Sequence, residues 1–95
     1  MSTPSELSII LYNVCKASGV SIDEIKSNVR DRKIVTARQV YCYFAYKTGY
    51  TLKEIGKVVG IHHSTVIHSV HNIEDKLFVD DKRITKLVND IKTII

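Results

Sequence analysis

Four histidines, His62, His63, His68 and His71, fall close together and are interleaved with Ser64 and Thr65. Side chains of these types serve metal ligation, nucleophilic catalysis or hydrogen bonding to base edges, and their spacing decides among the three. His68, His71 and Glu74 recur every third residue, which sets them along one helical face. No cysteine joins them and no H-E-x-x-H occurs, so a zinc site lacks its usual ligand set. A Ser64–His68 pair would need a separate carboxylate and an oxyanion donor, yet Glu74 and Asp75 lie farther along the same segment and no cleft is implied. Base reading fits better. A side chain that approaches a base edge closely must be short and polar, and Ser64, Thr65 and His68 meet that demand. The Thr65 methyl can also meet a thymine methyl, and His63 and His68 can bond to purine N7 or O6. The expectation is a protein that is not an enzyme and holds no metal or cofactor.

Such a reader must be carried on a helix whose start is fixed, and the punctuation of the chain supplies one. Thr51-Leu52-Lys53-Glu54 is a capping box that opens a short helix with Leu52, Ile55 and Val59 inward, closed by Gly60. The next helix starts near His62 or His63. Val66, Val70, Ile73 and Leu77 form its apolar stripe, widened by Ile67, with Ser64, Thr65, His68, His71, Asn72 and Asp75 opposite. Two short helices around Gly60-Ile61 are a helix-turn-helix pattern, in which the start of the second helix enters the major groove. His62 to His71 are the residues it would present.

The rest of the chain reads as helix too. Thr3-Pro4-Ser5-Glu6 is a capping box with proline in the first turn, followed by Leu7, Ile10, Leu11 and Val14 on one stripe and a stop at Gly19. Ser21-Ile22-Asp23-Glu24 opens a short second helix, and Val29 to Arg32 reads as a basic loop. A third helix runs from about Lys33 to Thr48 with Ala37, Val40 and Phe44 inward. A last one runs from roughly Asp81 to Ile94 with Ile84, Leu87, Val88 and Ile91 on one side. The expected fold is all-α, a single compact bundle of about six helices containing a helix-turn-helix.

Composition bounds the function. The chain of 95 residues is 44% hydrophobic, enough for one modest core. No apolar run approaches a bilayer span and the first residues do not resemble a signal peptide, so the expected compartment is the cytoplasm. Cys15 and Cys42 sit within apolar helical patterns and read as buried, reduced thiols. Tyr41, Tyr43, Phe44, Tyr46 and Tyr50 are spaced for packing rather than for stacking on single strands. The net charge is only +4, but it is segregated. Lys26 to Lys57 holds eight bases and two acids, an excess of six that leaves −2 for the remainder. Concentrated positive charge suits a polyanion, because neutralising phosphates releases counterions.

Arg38-Gln39, Thr51-Leu52-Lys53-Glu54-Ile55-Gly56 and His63-Ser64-Thr65-Val66-Ile67-His68 together resemble the C-terminal DNA-binding domain of the bacterial replication initiator DnaA. The resemblance runs from about Leu7 to Leu77. It implies a helical bundle that binds double-stranded DNA in replication initiation, its regulation, or transcription. By that resemblance His62, His63, Ser64, Thr65 and His68 face the major groove, and Arg30, with Arg32 beside it in the basic loop, reaches the minor groove. Lys33, Arg38, Gln39, Lys47 and Lys53 are implied at phosphates.

The chain also departs from the family pattern. The family has two glycines, an arginine and an aspartate before the histidine that matches His63, whereas here Gly60-Ile61-His62 stand there, one residue fewer. Weak preference for the usual initiator box is the expected consequence. No G-x-x-x-x-G-K-[ST] occurs, so no nucleotide is expected. A second reading keeps the fold as a protein-interaction module without DNA binding, and Ile91, Ile94 and Ile95 on the last helix could dock a partner or a second copy.

Overall fold

The computed structural model describes residues 3–27 and 29–94, with side chains described for 7–27 and 29–93. Among the described residues six helices follow in order: α1 Thr3–Ser18, α2 Ile22–Lys26, α3 Arg32–Thr48, α4 Leu52–Val59, α5 His63–Phe78 and α6 Lys82–Ile94. Among the described residues there is no strand. The all-helical expectation holds, including the number of helices. The capping box expected at Thr3–Glu6 falls on side chains outside the described residues.

Local chemistry sets most helix ends. Ser21 caps α2: its hydroxyl accepts from Glu24 N at 3.1 Å while Glu24 Oε1 accepts from Ser21 N at 2.9 Å. Thr51 and Glu54 form the same reciprocal pair at the start of α4, satisfying amide donors that a bare helix start leaves open. Asp31 caps α3 through Lys33 N at 2.9 Å. That brings Arg32 into the helix, where the sequence suggests a loop residue, because an aspartate cap one residue earlier outcompetes the loop. Asp81 likewise accepts from the amides of Arg83 and Ile84 at the start of α6.

α3 is the hub. It packs against α1, α2, α4 and α5, while α6 closes on α1 and α5. Ala37, Val40, Tyr41, Cys42 and Ala45 of α3 have no exposed surface, and the two alanines leave room for neighbouring helices to approach. Val66, Val70 and Ile73 of α5 and Ile55 of α4 meet them in the same core. Burying each aliphatic side chain of this size contributes about 1.5–3 kcal/mol. The Tyr41 hydroxyl, sealed in this core, donates to Ile55 O at 3.1 Å and so ties α4 to α3; burial pushes its pKa up.

Tyr41, Phe44 and Tyr50 are core, as their spacing suggests, and Tyr43 packs against it, whereas Tyr46 is exposed. Cys15 and Cys42 are buried free thiols. Burial pushes both pKa values up, that of Cys42 to about 12, so both are neutral and unreactive near pH 7. On α6 the apolar stripe is spent inside the chain: Ile84, Val88 and Ile91 are buried. Ile91 is therefore core and is not presented to a partner, correcting one of the three isoleucines offered for docking. The side chains of Ile94 and Ile95 lie outside the described residues. No described helix is long and apolar enough to cross a membrane.

Candidate nucleic-acid interface

The turn between α4 and α5 is built on Gly56 and Gly60. Gly60 stops α4 in the left-handed region, at φ 74°, where a side chain would be strained. Its N–H and that of Ile61, at 3.0 Å, both donate to Gly56 O, closing the carbonyl end of α4. Ile61 is half-buried against the core and its carbonyl lies directly over Gly56, whose bare Cα makes that approach fit.

α5 then starts at an unusual cap. His62 has extended backbone, and its Nδ1 accepts from Ser64 N at 3.2 Å and lies 2.8 Å from Ser64 Oγ. The His62 ring rests against that of His63, centroids 4.1 Å apart. A histidine is outside the usual set of capping residues, so sequence reasoning set His62 among base contacts and missed this role. Val66, Ser69, Val70 and Ile73 are buried beneath the helix, while His63, Ser64, Thr65, His68 and His71 are exposed. The face expected to read bases thus points outward as one surface, fixed from below by the core. Among the described residues no group of three metal-ligating side chains comes together.

The expected minor-groove and phosphate contacts divide into two groups. Arg30, Arg32, Lys33 and Lys53 are exposed and take part in no ion pair among the described residues. Arg32, Lys33, Gln39, Asn72 and Lys76 share the lining of an open groove that joins the start of α3 to the middle of α5. The other three are engaged within the chain. Arg38 turns inward, donating from Nε to Ile25 O at 2.8 Å and from Nη2 to Ser27 O at 2.9 Å. Those carbonyls are at the end of α2, five residues long, which is too short to stand alone. Arg38 therefore ties the end of α2 to α3 by hydrogen bonds, beside the packing of the buried Ile25. Gln39 Oε1 accepts from Asn72 Nδ2 at 2.7 Å, joining α3 to α5, so the Gln39 side chain's donor is its amide nitrogen. Lys47 pairs with Glu74 at 3.1 Å and sits 5.8 Å from the Tyr43 ring centre; its hydrogen bond to Glu74 holds its pKa above the usual lysine value.

A consequence for stability follows from the Arg38 geometry. Replacing it with methionine, which keeps the apolar stem, strips two carbonyls of a charged donor. A loss of about 2 kcal/mol is expected, within the range for hydrogen bonds to charged groups. Urea unfolding checks this, and a change below about 0.5 kcal/mol would show that α2 is held by packing alone.

Residues 7–73 match the family model of the bacterial DnaA protein helix-turn-helix. The chain belongs to that family. The match covers α1 to the buried Ile73 of α5, so the turn at Gly60 and the outward face of α5 are those of a DnaA-type helix-turn-helix. Among curated proteins, the chromosomal replication initiator protein DnaA of Kosmotoga olearia is 36% identical over 93 residues, covering 93% of this chain and 21% of that protein. The DnaA of Streptococcus mutans is 46% identical over 74 residues, covering 76% of this chain and 16% of its own length. That of Picosynechococcus is 36% identical over 90 residues, covering 93% of this chain and 20% of its own. The chain thus spans about a fifth of the length of these initiators.

Proposed function

We propose that this chain binds double-stranded DNA with the start of α5 in the major groove and reads base sequence there, in replication initiation, its regulation, or transcription. One observation carries the reading. Within a DnaA-type helix-turn-helix, the exposed side chains at the start of α5 are His63, Ser64, Thr65 and His68, all short or planar and all able to hydrogen-bond. Arg30 and Arg32 serve a minor groove beside it, and Lys33 and Lys53 hold phosphates. Gln39 adds its amide nitrogen, and Arg38 contributes mainly by fixing the end of α2. The role is binding, without catalysis, cofactor or bound nucleotide.

Titration of a labelled duplex pool at low salt tests the reading, with micromolar or tighter binding expected. No binding to any pool would favour the protein-interaction module instead. Base contacts and phosphate contacts separate by substitution. Thr65→Ala is expected to erase about tenfold of the preference for selected over random duplex while leaving random-duplex affinity unchanged, since one base contact discriminates by about 1–3 kcal/mol. Equal losses on both duplexes would remove Thr65 from the reading set.

The altered turn has its own signature. Ile61 and His62 stand where the family carries arginine and aspartate, and isoleucine has no donor for guanine. Against a scrambled duplex, the usual initiator box is therefore expected to gain less than about a thousandfold, or about 4 kcal/mol. A larger preference would mean that the missing pair is dispensable.

A further inference from the structure

We propose that His62 is a specificity-determining residue: its outer ring nitrogen, Nε2, donates to guanine in the major groove, and Ser64 beside it presents only lone pairs and so opposes a base amino group. This rests on the DNA-reading role proposed above and specifies the chemistry at one end of that site.

The hydrogen bonds at the start of α5 fix the direction of each donor. Ser64 N–H can only donate, and it points at His62 Nδ1 at 3.2 Å. Nδ1 therefore carries no proton, and in a neutral imidazole the proton then sits on Nε2. Ser64 Oγ lies 2.8 Å from the same Nδ1. Since Nδ1 has a lone pair and no hydrogen, the hydroxyl donates to it and thereby uses its single hydrogen. What remains for DNA is a donor at Nε2 and an acceptor at Ser64 Oγ, side by side on exposed residues. The His63 ring, tilted 33° against that of His62, limits rotation of the donor, so its direction is set before DNA arrives.

Base-pair edges differ in how they meet this arrangement. Guanine offers two adjacent acceptors, N7 and O6, so a single donor finds a partner over a wide arc. Adenine flanks N7 with an amino group, and thymine flanks O4 with a methyl. An acceptor-only hydroxyl is matched by the amino group of cytosine N4 or adenine N6. The capping bond that starts the helix thus also sets the polarity of the reading surface.

Selection from a random duplex pool, with the whole chain and with His62→Asp, tests the proposal. Aspartate is a strong cap and, when ionised, has acceptors only, so α5 and the fold should persist, which an unchanged Tm checks, while the donor is removed. The wild-type pool is expected to converge on a guanine that the variant pool no longer favours. Changing that G·C pair to A·T should cost the wild type about tenfold and the variant nothing. A variant that keeps the guanine, or a wild type that binds and selects without guanine, overturns this proposal and leaves DNA reading intact. Failure of the wild type to bind any duplex overturns both. Nitrogen-15 NMR of the His62 ring gives a readout free of DNA: a protonated Nδ1 would also overturn it.

Discussion

Gly56→Ala is expected to lower stability by about 2 kcal/mol net. A methyl at this position would run into the carbonyl oxygen of Ile61 and stand 3.2 Å from Val66 Cγ2. The first obstacle is backbone, and it belongs to the turn whose Gly60 and Ile61 amides both bond to Gly56 O. Relief would require the turn to move as a unit. Overpacking of this kind costs about 1–3 kcal/mol, and the obstruction by backbone puts it at the upper end. Alanine's better helix propensity returns about 1 kcal/mol. The sign of the result therefore decides which effect wins. For a domain of this size the net loss corresponds to a Tm lower by about 8–16 °C. An unchanged or raised Tm would show that α4 and α5 can separate at the turn at little cost.

The second large effect is electrostatic. Arg30, Arg32, Lys33 and Lys53 are exposed and have no acidic partner in an ion pair among the described residues, so each can displace a counterion from DNA. Four such charges, two at phosphates and two in the minor groove, give a slope of about −3.6 in log affinity against log salt, and raising salt from about 50 to 200 mM should weaken duplex binding about 150-fold. Lys47 should add little, because Glu74 already neutralises it at 3.1 Å. Lys47→Ala is accordingly expected to leave the slope unchanged, whereas Arg32→Ala lowers it by about one. Fluorescence anisotropy across a salt series measures both. A slope near zero would detach the basic loop from binding.

What was legible in the sequence was local. The capping boxes at Ser21 and Thr51 link residues three apart, and the stripe of Val66, Val70 and Ile73 recurs at helical period, so neither needs tertiary knowledge to be seen. The outward set Ser64, Thr65 and His68 follows from the same period. The pairings that reassign Arg38, Gln39 and Lys47 join residues far apart in the chain. Arg38 reaches back to Ile25 and Ser27, Gln39 meets Asn72 and Lys47 meets Glu74. No spacing rule reports such contacts, because only the approach of α3 to α2 and α5 creates them. His62 was hidden differently: its partner is two residues away, but histidine does not signal a cap. The proximity of Ile61 O to Gly56 was equally invisible, since a glycine within a helical pattern suggests flexibility before it suggests close approach.

The central claim is that the outward face of α5 meets duplex DNA, and amide chemical-shift mapping during titration with a selected duplex tests it most directly. The largest shifts are expected at His63, Ser64, Thr65 and His68, with a second set at Arg30 and Arg32. Ile9 and Tyr12, exposed on α1, should stay fixed. Shifts concentrated on α1 or α6, with the start of α5 unmoved at saturation, would contradict the account.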